Sequence, residues 1–192
     1  MKKLDSKLLL VIIAILILSV SCSKEGLFIK GSVDYYADGS ISKGKLIEDS
    51  IIEGYPVISW IHFYENGKLK QFDLSENFSI SNLEFPKGST IFLNSEGIMV
   101  QAYLSKDLEI QGYKCPGGNL KEAVGFYPSG KLRFFFPKTD VLIDGVPCKG
   151  GGLHGIWLYE TAHLEKAYLS ENYKKDGRIF KEGDEIRFDD KK

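Results

Sequence analysis

The residues of this chain whose types could do chemistry are three histidines, three cysteines, a recurring Asp/Asn series and two glycine-rich stretches. His62, His154 and His163 would make a three-histidine zinc site only by converging, and they stand at unrelated offsets in the repeat described below. No nucleophile-elbow pattern supports a Ser-His-Asp arrangement. Cys115-Pro116-Gly117-Gly118 and Cys148-Lys149-Gly150-Gly151-Gly152 have the glycine content of a phosphate loop. Neither leads into a helix start or a Lys-Ser/Thr step, so both read as turns. Asp49, Asn77, Asp107, Asp140 and Asn172 could offer calcium a column of oxygens. They are sparse for that purpose, and capping of turns through the side-chain oxygen is the expectation. The sequence therefore predicts no catalytic residue, no metal ligand and no cofactor.

Cys22 has a different setting. A basic start, MKKLDSK, precedes an apolar run from Leu8 to Leu18 and then small residues. The apolar stretch is shorter than the roughly 20 residues that span a bilayer. Leu18-Ser19-Val20-Ser21-Cys22 resembles the bacterial lipobox, with the leucine at −4 and Ser19 at the usual leucine position. The resemblance implies that residues 1–21 are a lipoprotein signal peptide and that Cys22 is lipidated. Several acyl chains on Cys22 would hold the protein firmly on a lipid bilayer. Residues 22–30 are then the lipidated cysteine and its tether. Ser23, in place of an aspartate, favours the outer membrane in a cell that has two.

The elements that would position any site come from an internal repeat. With Gly39, Gly67, Gly97, Gly130 and Ala162 as origins, the spacings are 28 to 33 residues. Apolar residues recur six and four before each origin, and again at +2, +7, +13 and +18 in most units. The Asp/Asn series falls at +10 and a glycine or asparagine at +15. Positions −6 and −4 share one face of a strand. Asp38-Gly39 and Asn66-Gly67 are strong hairpin signals. A second strand runs to +7, a third covers +11 to +13, and the +15 glycine suggests a bulge. Lys175 and Arg178 suit a terminal repeat that faces water. Residues 31–192 thus form one all-β domain, an elongated rolled or twisted antiparallel sheet of about five stacked units of ~30 residues.

Phe63-Tyr64-Glu65-Asn66-Gly67-Lys68-Leu69-Lys70 and Phe126-Tyr127-Pro128-Ser129-Gly130-Lys131-Leu132-Arg133 resemble the MORN-variant repeat, with a partial match at Tyr35-Tyr36-Ala37-Asp38-Gly39. That resemblance implies stacked β-hairpins and a role in binding or scaffolding, without catalytic residues. Cys115 and Cys148 share the +18 column. Direct stacking of columns would let them form a disulfide; a meander of antiparallel hairpins leaves them as buried thiols, the reading favoured here. Trp60, Tyr64, Tyr127, Trp157 and Tyr159 fall opposite the −6/−4 face and suggest an aromatic second face.

With 25 Lys+Arg against 26 Asp+Glu in 192 residues, the formal charge is −1. That balance argues against nucleic acid as a partner. The expected function is a non-enzymatic binding module for a protein or glycan, lipid-anchored in the cell envelope. A self-associating structural envelope protein, or an antitoxin-like neutraliser, is the alternative.

Overall fold

The structure, a computed structural model, describes residues 24–118 and 122–190; the signal segment and Cys22 lie outside the described residues. The first units hold β1 (Asp34–Tyr35), β2 (Ile41–Lys45), β3 (Ser50–Ile52), β4 (Tyr55–Phe63), β5 (Leu69–Leu74), β6 (Phe78–Ile80) and β7 (Leu83–Phe85). The middle of the chain adds β8 (Thr90–Leu93), β9 (Met99–Tyr103), β10 (Leu108–Ile110), β11 (Tyr113–Cys115), β12 (Val124–Phe126), β13 (Leu132–Phe135), β14 (Val141–Ile143) and β15 (Val146–Cys148). The last part holds β16 (Ile156–Leu158), β17 (Leu164–Tyr168), β18 (Tyr173–Lys175), β19 (Arg178–Phe180) and β20 (Glu185–Arg187).

These strands form one open antiparallel sheet in the order β1-β2-β4-β5-β8-β9-β12-β13-β16-β17-β20, with β3 paired to β4. β6–β7, β10–β11, β14–β15 and β18–β19 are separate two-stranded hairpins. A complete unit therefore has four strands, one more than the sequence suggests. The extra strand arises because the +15 position is not a bulge but the second residue of a tight turn. Glu53-Gly54, Ser81-Asn82, Gln111-Gly112, Asp144-Gly145 and Asp176-Gly177 all have positive φ at both positions. That is the requirement of a two-residue type I′ hairpin turn. The flanking residues pair across it, as in Ile110 with Tyr113 and Ile143 with Val146.

The origin turns differ from expectation in the other direction. In each unit the origin N–H donates to the carbonyl three residues earlier, at 2.8–3.0 Å. The residue three before the origin donates to the carbonyl one after it, at 2.8–2.9 Å. This is a three-residue loop closed by a left-handed residue, and the strand register shifts beside it in all five units. Ala162 keeps the loop without glycine, at φ 68°.

Hairpins lie over one face of the sheet and share a single apolar core with it. Tyr55 packs on Phe72 at 4.9 Å and Tyr113 on Phe135 at 4.8 Å between ring centroids. Four members of the Asp/Asn column close hairpins at their base. Asn77, Asp107, Asp140 and Asn172 each accept, through Oδ1, the backbone N–H of the residue ten further on, at 2.8–3.0 Å. Both glycine-rich stretches sit in these closing turns. A side chain on Gly117 or Gly150 would collide with the backbone of Lys106 or of Thr139.

The core begins earlier than residue 31. Phe28, within the stretch the sequence assigns to the tether, is 4% exposed and bridges Leu46. Ile29 N–H bonds to Lys45 and Ile47 N–H to Leu27, as Lys149 does to Tyr168 and Ser170 to Pro147. Phe28 thus fills the +18 place of a preceding unit, against Phe63 at 6.4 Å as Phe85 stands against Phe126 at 6.1 Å. Removing its ring opens a cavity at the end of the core. Phe28→Ala is expected to lower unfolding free energy by about 3–5 kcal/mol in urea titration. Ala162→Gly relieves a left-handed alanine and is expected to raise stability by about 1 kcal/mol in the same measurement.

Candidate functional site

Alternation along the strands sends one set of side chains under the hairpins and the other to the uncovered face. On that outer face the pairing registers join one residue of every strand into a single line. Asp34 pairs Lys43, Lys43 pairs His62, and His62 pairs Gln71. Gln71 pairs Phe92, Phe92 pairs Gln101, and Gln101 pairs Gly125. Gly125 pairs Phe134, Phe134 pairs Trp157, Trp157 pairs Lys166, and Lys166 pairs Arg187. The ends of the line are charged, and its centre holds two amides, Gln71 and Gln101, and three aromatic rings, Phe92, Phe134 and Trp157, with Gly125 between Gln101 and Phe134.

The rings lie close to the sheet because glycine leaves room for them. A side-chain carbon on Gly125 would collide with the ring of Phe134, and one on Gly155 would stand 2.6 Å from Trp157 and 3.0 Å from Phe136. Phe134, Phe136 and Trp157 contact one another with centroids 6.3 Å apart. Phe92 meets Tyr103 edge-on at 5.4 Å. Every one of these rings is half-buried. At the far end Lys166 Nζ stands 3.5 Å from the Trp157 ring centroid, a cation–π contact. Of the Phe134-Phe135-Phe136 run, Phe135 is fully buried while its neighbours face outward.

The aromatic set expected from sequence divides in two. Trp60 and Trp157 do belong to the outer face, with Trp60 paired to Lys45. Tyr64, Tyr127 and Tyr159 instead sit in the origin loops and serve the scaffold. Their hydroxyls donate to the carbonyls of Leu93, Leu158 and Phe188, each in the following unit, at 2.7–2.9 Å. Tyr36 does the same to Phe63 at 2.7 Å. Phe92, Tyr103, Phe134 and Phe136, which sequence reasoning did not place here, complete the outer set.

The remaining chemistry-bearing residues do not gather. His62 lies in the outer line, His154 Nδ1 stands 2.8 Å from the Gly151 carbonyl, and His163 Nδ1 stands 3.3 Å from Asp144. Among the described residues no group of three or more His, Cys, Asp or Glu is arranged to hold a metal ion. Cys115 and Cys148 are buried and unbridged, in separate hairpins. Burial pushes their thiols up to about 12 and about 11, so neither is a thiolate at neutral pH. A cleft of about 460 Å³ opens between Tyr113, Pro116, Pro137 and Val141, with the Asp107–Lys138 ion pair at 2.7 Å beside it. Lys138 and the Gly117 N–H hold Asp107 below the usual carboxylate range, which suits a structural clamp. Comparison of the chain with protein-family models, with curated proteins and with solved structures returns no match.

His62 is the titratable group of the outer line whose environment is set against charge. Partial burial, then Lys43 and Lys70, hold its pKa below 6.5, with Asp73 opposing. The unfolded chain therefore binds this proton at higher pH than the folded one. The associated stability is present above pH ~6.5 and is lost as pH falls through the lowered folded value. The melting temperature is expected to drop between pH 7.5 and pH 5, and His62→Gln is expected to reduce that drop in pH-resolved thermal melts.

Proposed function

We propose that this chain is a membrane-anchored envelope lipoprotein, held by acylated Cys22, whose β-repeat domain is a non-enzymatic binding module for a protein or glycan partner. The observation that carries the binding reading is the outer line of amides and aromatic rings, left open along a sheet whose other face is filled. Recurring polar residues are occupied in the scaffold: the Asp/Asn column closes hairpins, and the loop tyrosines tie unit to unit. What stays chemically unspent is a surface. Aromatic side chains are favoured at such contact faces because they offer large rigid area at small entropic cost. The MORN-variant likeness of Phe63–Lys70 and Phe126–Arg133 points to binding or scaffolding as well.

The anchoring part rests on the basic start, the short apolar run and the lipobox-like Leu18–Cys22. Residues between Cys22 and Phe28 would be a tether of only a few residues, holding the sheet near the bilayer. A second reading, self-association as a structural envelope protein, is favoured by one feature. Among the described residues the sheet ends at β1 and β20 without closing, which leaves edges that further strands could join.

Intact mass of membrane-extracted protein, wild type beside Cys22→Ala, tests the anchor. Loss of residues 1–21 with added acyl chains, abolished in the variant, is the expected result; an unmodified full-length mass refutes it. Sedimentation over a range of concentrations separates the two readings, since the binding module is expected to stay monomeric.

A further inference from the structure

We propose that the centre of the outer line binds an uncharged oligosaccharide of flat, equatorially linked pyranose rings. This deepens the binding-module reading and rests on it. Gln71, Phe92, Gln101, Phe134 and Trp157 follow one another along the line through the pairing registers, with the glycine of β12 beneath the Phe134 ring. Neighbouring strands stand about 4.8 Å apart, so the amides of Gln71 and Gln101 flank the Phe92 ring at short steps, and the rings of Phe134 and Trp157 follow beyond Gly125. A pyranose chain offers partners to both kinds of group: each ring has an apolar C–H face and a rim of hydroxyls.

Three features favour this occupant over a protein. The rings lie against the sheet and form no deep pocket of the kind that seats an inserted aromatic or arginine anchor. The line contains no Leu, Ile, Val or Met; exposed aliphatics such as Ile51, Leu142, Leu153 and Ile179 lie outside it. From Gln71 to Trp157 the line carries no charge, which suits a neutral ligand. Lys166, lodged on Trp157 at 3.5 Å, ends the neutral stretch with an ammonium that can donate to hydroxyls.

The test is titration calorimetry of the full chain in a sugar-free detergent with two probes, cellohexaose and chitohexaose. Binding of at least one probe with a dissociation constant of about 1 mM or tighter is expected. Phe134→Ala and Trp157→Ala are each expected to weaken it at least about tenfold, and Trp60→Ala to leave it within about twofold. Thermal melts report whether each variant is folded. If Phe134→Ala is not, Gln101→Ala, which removes only a half-buried amide, takes its place with the same expectation. No binding of either probe at about 10 mM, or binding indifferent to these substitutions, overturns the proposal. A photo-crosslink from position 92 to one defined envelope protein, with both sugars inert, also overturns it and leaves the binding-module reading standing. The Cys22→Ala mass measurement reports on the anchor independently.

Discussion

The packing of Tyr55 on Phe72, repeated by Tyr113 on Phe135, is a contact between the hairpin of one unit and a sheet strand of the next. Phe85 reaches further, from the second unit to Phe126 of the fourth. A unit taken alone would leave its sheet strands bare on the inner face and its hairpin with nothing beneath it. Burial is shared between neighbours, so stability propagates along the chain in the manner of other repeat architectures. The hydrogen bonds follow the same rule. Gln111 accepts from Leu132 N–H and donates to the Gly130 carbonyl, while Asp144 accepts from Leu164 N–H. Tyrosines in the origin loops bridge forward in turn. The core thus needs a cap at its start, and Phe28 supplies it.

This coupling decides where a function can lie. The columns that recur are those that turns and burial constrain. The columns at −5 and +4, which make the outer line, carry Asp34, His62, Phe92, Gly125 and Trp157, and Lys43, Gln71, Gln101, Phe134 and Lys166. They share no residue type through the units because nothing in the scaffold requires one. A chemically particular surface is therefore assembled from the positions that the repeat leaves unconstrained.

Much of the architecture was legible from columns, because positive φ selects glycine and burial selects apolar residues irrespective of the rest of the sequence. What escaped has definite causes. The type I′ turns at Glu53, Ser81 and Gln111 begin with residue types that rarely adopt a left-handed backbone, and only Asp144-Gly145 and Asp176-Gly177 carry the Asp-Gly signal. The fourth strand was hidden with them. Period-two counting from Leu132 puts Phe134 inside; the loop bulge between them reverses the parity and turns it out. The forward hydrogen bonds of the tyrosines depend on carbonyls in the next unit, and those are placed only once the register is known. Capping by the Asp/Asn column, in contrast, was readable, since a short oxygen-bearing side chain beside a turn has few other uses.

The same connectivity explains why the outer face stays open for the whole length of the sheet. Each hairpin leaves one strand after an inward-facing residue such as Leu74 or Leu104 and re-enters the next strand at Ile91 or Val124, also inward-facing. The Asp/Asn bond then ties its two ends together, so the hairpin folds back over the face that those residues share. Repeating the unit repeats this choice of side, and adding units lengthens the uncovered face without ever covering it. Glycines such as Gly125 weaken a strand when bare, yet here a ring from the neighbouring strand lies over the gap. Phe134 shields the backbone from water at the same position where it forms part of the surface proposed for binding, so local stability and that surface draw on one side chain.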